Sequence, residues 1–407
     1  MQKRNINLRV VREGAPGQAN GAEKQMPRET LVRKGLKKIK SRKKLTAAVA
    51  VIAVVAAVAS FVAYFHTYTK TRTVDSYKID NAADNSYEEF GKGVLKYSRD
   101  GVSYLDLKGR EQWNQPYQMK SPFVEISGES AAVADKGGND IMIFNREGLK
   151  GEIETTLPIE AVTVSEQGIA GAVLKNESSP QIVCYDAAGN VLVEHKASLT
   201  GTGYPLDIAL SPDGTVMQVV YLSVNEGEMV SRVNYYNFGK EGEDKDDHQV
   251  AGKEYVQSVL GSGFFMSDSV SAVVGDNCLT IFSGADIPKE KASISIEGEI
   301  QSVFHNDKYI GLTVKTEGKN NCELKLFNTS GKEVLSKSFD GTYTSAKISG
   351  SQVILYDGKT CCMFKRSGIL RFDGEMENNI LEIFPAAGVN KYIVINANGM
   401  ESVRLVK

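Results

Sequence analysis

The residues able to do chemistry are few and widely spaced. Four histidines, His66, His195, His248 and His305, show no His-x-x-x-His spacing and have no cysteine pair nearby, so they do not form a zinc set. Five cysteines, Cys184, Cys278, Cys322, Cys361 and Cys362, are odd in number and lack a C-x-x-C, which supports neither a disulfide framework nor a metal knuckle. The acidic run EGEDKDD, Glu241 to Asp247, lacks the alternating ligand spacing of a calcium loop and reads as a solvated surface loop. Neither GTGYPL nor GSGFF is a nucleophile elbow, and Ser262 in the latter reads as part of a turn. Gly358-Lys359-Thr360 has no upstream glycine to cradle a phosphate and reads as a hairpin turn. No catalytic, cofactor-binding or metal-binding residue is assigned, no cofactor is expected, and the chain is expected not to be an enzyme.

The elements that would position any site follow a repeat. An apolar or aromatic residue ends a strand, a turn built on Asp or Asn and Gly follows, and a return strand begins. Copies are LDLKG at Leu105, FNREG at Phe144, YDAAG at Tyr185, FNTSG at Phe327 and FKRSG at Phe364, with looser copies at Tyr236 and Phe282 and a last strand near Leu405. These landmarks recur at intervals of 37 to 51 residues, the size of a propeller blade. Asp or Asn can accept from its own backbone two residues on, and Gly supplies the positive φ. Two alternating apolar runs precede each landmark, as in PFVEISGESAAVAD and PLDIALSPDGTVMQVVYL, so each unit reads as four strands. Pro212-Asp213-Gly214 marks a tight turn.

Such units bury both faces only when stacked around an axis. The fold class expected is all-β, an eight-bladed β-propeller of four-stranded WD40-like or quinoprotein-like blades over residues 87–407, with seven blades as the alternative. The last unit stops after its third strand, so Tyr77–Asp80 is expected to supply the missing one, with Ser86–Gly93 opening the first blade.

Residues 1–44 carry 14 Lys and Arg against three Glu, whereas the rest carries 34 against 47 Asp and Glu. Between these oppositely charged parts lies LTAAVAVIAVVAAVASFVAYF, Leu45 to Phe65, with 21 residues and no charge. At about 1.5 Å per residue a helix of this length matches a hydrocarbon core. The expectation is a single transmembrane helix over 45–65, a largely disordered basic cytoplasmic tail over 1–44, a stalk over 66–86 and an extracytoplasmic domain beyond. The run is too long for a cleaved signal peptide. Within ETLVRKGLKKIKSRKK, Val32, Leu36 and Ile39 share a helical face, and Lys37, Lys38, Lys40, Arg42, Lys43 and Lys44 are candidate lipid-headgroup contacts. No aromatic residues interleave these charges, so nucleic acid is not an expected partner. The expected partners are the bilayer, through 45–65, and a protein or cell-wall component outside it.

Over 87–407, YEEFGKGVLKYSRDG, GGNDIMIFNREGLKG and YPLDIALSPDG resemble an uncharacterised family of membrane-anchored, propeller-like proteins of anaerobic Gram-positive bacteria, a domain of unknown function. That resemblance implies the cell envelope and brings no catalytic residues. More distantly, the repeats look like those of the propeller lipoprotein that supports outer-membrane protein assembly, a likeness of fold alone. SYLDLKGREQW and the Cys361-Cys362 pair also resemble features of quinoprotein alcohol dehydrogenases, which carry Trp-ended repeats and a vicinal disulfide. Trp113 ends one copy only, however, and neighbouring residues of a strand point to opposite faces. Trp113 is therefore expected to pack between blades. The expected role is a tethered interaction, scaffold or envelope-sensing module, with a cell-wall carbohydrate-binding protein or an envelope enzyme using the pore mouth as the alternative.

Overall fold

The computed structural model describes residues 46–407 apart from 59–60, 63, 81, 83, 226, 317 and 319–320. The six candidate lipid contacts, Lys37 to Lys44, lie outside the described residues. The chain divides into two compact units, Met1–Tyr64 and Phe65–Lys407. In the first, residues 46–58 are helical and their large apolar side chains are exposed, Val49 by 59% and Ile52 by 67%. Among the described residues, no helix is long and apolar enough to cross a membrane.

The second unit is a β-propeller of eight four-stranded antiparallel sheets, the number the landmarks predict. Blades 1 to 7 span 86–116, 122–154, 159–196, 204–256, 260–295, 299–340 and 345–375 in simple up-and-down order. Blade 8 takes three strands from 382–406 and its outer strand, Lys70–Tyr77, from the other end of the chain. Apolar clusters fill the seams. One joins Ile143 and Ile153 of blade 2 to Val162 and Ala172 of blade 3, and another joins Ile354 of blade 7 to Val394 and Val403 of blade 8. Neither face of a lone blade could be buried otherwise.

Turn chemistry explains the repeat. The Asp106 carboxylate accepts the amides of Lys108 and Arg110 at 2.8 and 3.0 Å, and Asp186 and Asn328 do the same in their own copies. Gly109 sits at φ 70° in a turn that most side chains would strain. Trp113 stacks on Phe144 of blade 2 at 5.2 Å and 6°, and its indole N–H donates to the Arg146 carbonyl at 2.9 Å. It is a seam residue, as expected.

The ring does close with an N-terminal strand, but the strand is Lys70–Tyr77 instead of Tyr77–Asp80. The cause is length. The last strand, Gly399–Val406, has eight residues and pairs with 70–77 from Lys70↔Val406 to Tyr77↔Met400. Ile79, read as a strand residue, instead packs against the turn between the third and fourth strands of blade 1, beside Gly109 and Leu107. Within 66–86, the span read as a stalk with a ring-closing strand, Thr67 Oγ1 donates to the Leu370 carbonyl at 3.0 Å and Tyr68 forms a parallel bridge to Phe372 in blade 7. The acidic loop of blade 4 holds two short 3-10 turns, Lys240–Gly242 and Asp246–His248, where only coil was expected.

Candidate functional site

The first strand of every blade lies innermost, and inner strands touch between successive blades 2 to 5, between blades 6 and 7 and between blades 8 and 1. They enclose a central channel with a cavity of about 260 Å3 bounded by blades 2 to 6. Its wall includes Glu125, Asp207, Thr163, Ser262, Phe264 and His305. Ser262, expected in a turn, belongs to the inner strand Leu260–Ser267 of blade 5.

Carboxylates dominate the polar groups here. Asp207 accepts the amide of Ile208 at 3.0 Å on one oxygen and that of Gly263, in the next blade, at 2.8 Å on the other. It thereby caps an inner edge that has no further strand to pair with. Loss of bulk water pushes its pKa up to about 6 despite these two amides. Glu125 in blade 2 is raised to about 7, first by protein surrounding it and then by the charges of Asp207 and Glu88. Glu88 in blade 1 is also raised to about 7, by loss of water and by Glu382, with Lys347 opposing. Glu88 and Glu125 keep exposed surface although protein rings them, which is what a side chain facing a narrow wet channel experiences.

The other half of the wall is neutralised internally. Glu382 of blade 8 is buried and accepts from Lys347 Nζ, from the Ile383 amide at 2.8 Å and from Tyr356 Oη at 3.3 Å. Lys347 also lies 3.6 Å from Glu89, which accepts from Ser349 Oγ at 3.1 Å. Lys347 is thus engaged on two carboxylates, while among the described residues Glu88, Glu125 and Asp207 form no ion pair. His305 stacks flat on Phe264 at 3.8 Å, and burial lowers its pKa to about 4, so it stays neutral at physiological pH.

The other sequence candidates do not converge on this channel. Cys361 and Cys362 are separate free thiols on opposite faces of one strand, one in the blade 7–8 core and the other in the blade 6–7 core. His195 stands against Tyr236 between blades 3 and 4, and His248 lies on the acidic loop. Among the described residues, no group of three or more His, Cys, Asp or Glu is placed to hold a metal ion. Motif reading missed the channel carboxylates. Their signal is nonetheless visible, since PFVEIS and YPLDIAL each place one acid inside a largely apolar first strand and SYEEF places two between aromatic residues.

Residues 64–405 match the model of a family of unknown function, DUF5711, and the chain belongs to that family. No curated protein matches the sequence. Among solved structures, BamB from Moraxella catarrhalis is similar at 13% identity and a TM-score of 0.49, covering 83% of this chain and 100% of its own. Hydrazine synthase from Kuenenia stuttgartiensis is similar at 12% identity and a TM-score of 0.46, covering 82% and 98%. The Pan2 WD40 domain of Neurospora crassa is similar at 10% and 0.41, covering 70% and 87%. At such identities the likeness concerns the fold alone.

Proposed function

We propose that this member of the family is a non-enzymatic interaction module, a propeller held outside the cell membrane by a helix over 45–65. Its channel mouth receives a cationic segment of a partner protein. The observation that carries the reading is the charge of the channel. Among the described residues Glu88, Glu125 and Asp207 form no ion pair, while Lys347 of the inner wall, the base that acts on Glu88, is already engaged by Glu382 and Glu89. A lysine or arginine brought to this wall would offset the repulsion that Asp207 and Glu88 exert on Glu125 and that Glu382 exerts on Glu88. Rigid inner strands hold the carboxylates in place, so little ordering is needed when the partner binds. The tether is supported by the uncharged 21-residue run and by the apolar side chains of 46–58, which have no protein cover.

The test is a cross-linked pull-down of the full chain from solubilised membranes of its host, wild type against Glu125→Gln/Asp207→Asn. A partner recovered by the wild type and lost by the variant supports the reading; equal recovery removes the channel from it. The alternative ligand is a cell-wall carbohydrate, with the protein acting as a binding protein or an envelope enzyme. It draws support from carboxylates and phenyl rings sharing one wall. It ranks second because the ring of Phe264, which would stack on a sugar, is covered by His305.

A further inference from the structure

The two ends of the ring differ in charge pattern. One end carries the turns between first and second strands and between third and fourth strands of each blade; the other end carries the remaining connections. On the first end, the turns of blades 6, 7 and 1 present Lys92, Lys108, Arg110, Lys308, Lys332 and Arg366 against the acids Asp106 and Asp307, and the turn of blade 8 between them, residues 386–390, carries no charge. Asp307 pairs with Lys308 at 2.9 Å, and Arg110 pairs with Asp106 at 2.6 Å. The turns of blades 2 to 5 on the same end reverse the sign, with twelve Asp and Glu against three Lys and Arg, including Asp244, Asp246 and Asp247. At the opposite end both signs are mixed, with Lys136, Lys175 and Lys359 interspersed with Glu177, Asp276 and Glu377.

The chain joins the ring on the polarised end and in the middle of its basic half. Tyr68 bridges to blade 7, and Lys70 begins the outer strand of blade 8 opposite Val406, the last residue of the third strand. Basic turns lie on both sides of this junction, those of blades 6 and 7 on one side and those of blade 1, beyond the uncharged turn of blade 8, on the other. From Tyr64, where the first unit ends, to Thr67, whose hydroxyl bonds blade 7, the backbone advances three residues, a reach of about 10 Å.

We infer that the basic half of this end, through the turns of blades 6, 7 and 1, docks on the anionic headgroups of the membrane that holds the tether. The acidic half of the same end is repelled and lifts away. The inference rests on the tethered reading and adds to it a fixed pose. A tether only three residues long brings this end near the headgroups, and the sign of the charge selects which half lies down. Each basic residue facing an anionic surface favours the docked pose by about fivefold, and the attraction falls off within a Debye length. The pose tilts the ring and leaves the opposite end of the channel open to partners.

The experiment places the full chain in nanodiscs of phosphatidylcholine alone or with phosphatidylglycerol. Acetylation rates of lysines are read by mass spectrometry, and co-elution with the disc reports insertion. Lys92, Lys108 and Lys332 should be acetylated severalfold more slowly in the anionic discs, and molar salt should remove the difference. Lys136, Lys175 and Lys359 at the far end should not change. A Lys92→Glu/Lys108→Glu/Lys332→Glu/Arg366→Glu variant, altered only in exposed turns, should lose the salt-sensitive protection of Lys308. Equal labelling in both discs, with the chain still inserted, overturns the docked pose and leaves the tether standing. Protection independent of lipid charge overturns it as well. A chain that fails to co-elute with either disc overturns the tethered reading and the pose together.

Discussion

Trp113 is the only tryptophan of the chain, and it stands at the seam between blades 1 and 2. Tyr104 lies on one side at 5.9 Å and Phe144 on the other at 5.2 Å, while the indole N–H bonds the Arg146 carbonyl. Truncating a fully buried Trp to Ala costs about 3–5 kcal/mol, and Trp113 is half-buried, so its packing contributes roughly 2 kcal/mol. The hydrogen bond adds about 1 kcal/mol. Trp113→Ala should therefore lose about 3 kcal/mol, and Trp113→Phe, which keeps the stack, about 1 kcal/mol. For a ring of this size 1 kcal/mol moves Tm by roughly 1.5 °C, which puts the Ala variant about 4 °C below wild type by circular dichroism. Wild-type tryptophan fluorescence should follow the same transition as the backbone signal if the closed ring unfolds as one unit. A Trp113→Ala variant within about 0.5 kcal/mol of wild type, the range of ordinary surface changes, would refute the seam role. A Phe variant as damaged as the Ala variant would show that the stack contributes nothing.

Gly151, in the outer strand of blade 2, has no room for a side chain, since a Cβ there would lie 1.5 Å from the Ala187 carbonyl oxygen of blade 3. Gly151→Ala should cost about 3 kcal/mol or more by thermal melting, while Gly261→Ala, where nothing lies within 4 Å, should stay near wild type. Equal melting of the two variants would disprove a tight seam. Tyr68→Ala removes the bond from Asn390 Nδ2 at 2.8 Å and the Arg371 guanidinium stacked over the ring at 4.8 Å. It should cost about 1–2 kcal/mol and speed amide exchange over 70–77, and unchanged exchange would exclude a clasp. The channel acids make stability depend on pH. Glu88 and Glu125, raised from 4.5 to about 7, keep protons in the folded ring that the unfolded chain releases, so stability falls as pH rises through that window. His305, lowered from 6.5 to about 4, acts oppositely, and its contribution is lost as pH falls through that range. Between about pH 6.5 and 8 only the carboxylates act. There Tm should drop for wild type and drop less for Glu125→Gln; a flat wild-type profile would mean that these acids ionise as they do in water.

Much of the ring was legible in the sequence because its blades are local. Each hairpin is closed by its own Asp, Asn and Gly, so a period of strands and turns can be read without knowing what packs where. Blade number follows from counting those turns. The closing strand was legible in kind but not in position, because its register depends on an eight-residue partner more than 300 residues away. The channel was visible only in hindsight. A Glu inside PFVEIS looks like an ordinary solvent-facing residue of an alternating strand until topology puts that strand innermost. Nor do Glu125 and Asp207, in separate blades, share any spacing that a motif could capture.

In the tethered reading, the route of the N-terminal strand would link the tether to folding. Seven residue pairs join 70–77 to the last strand, and this strand is the sole hydrogen-bonded partner of the free edge of Gly399–Val406. Without it, blade 8 has three strands and exposes a long edge of the kind that invites pairing with other chains. In the tethered reading, any pull on the helix reaches the ring first through Thr67 and Tyr68, which are held by blade 7, and only then through the closing strand. The parallel bridge therefore shields the pairs that keep the ring closed. A cut between Phe65 and Thr67 should release an intact propeller, whereas a cut between Tyr77 and Ser86 should leave blade 8 relying on a strand no longer covalently joined to blade 1. Limited proteolysis of engineered sites at these two places, read by the melting of the cleaved products, separates the outcomes. Equal stability of the two products would mean that the clasp holds without the covalent link, and that closure owes more to the strand pairing than to the path of the chain.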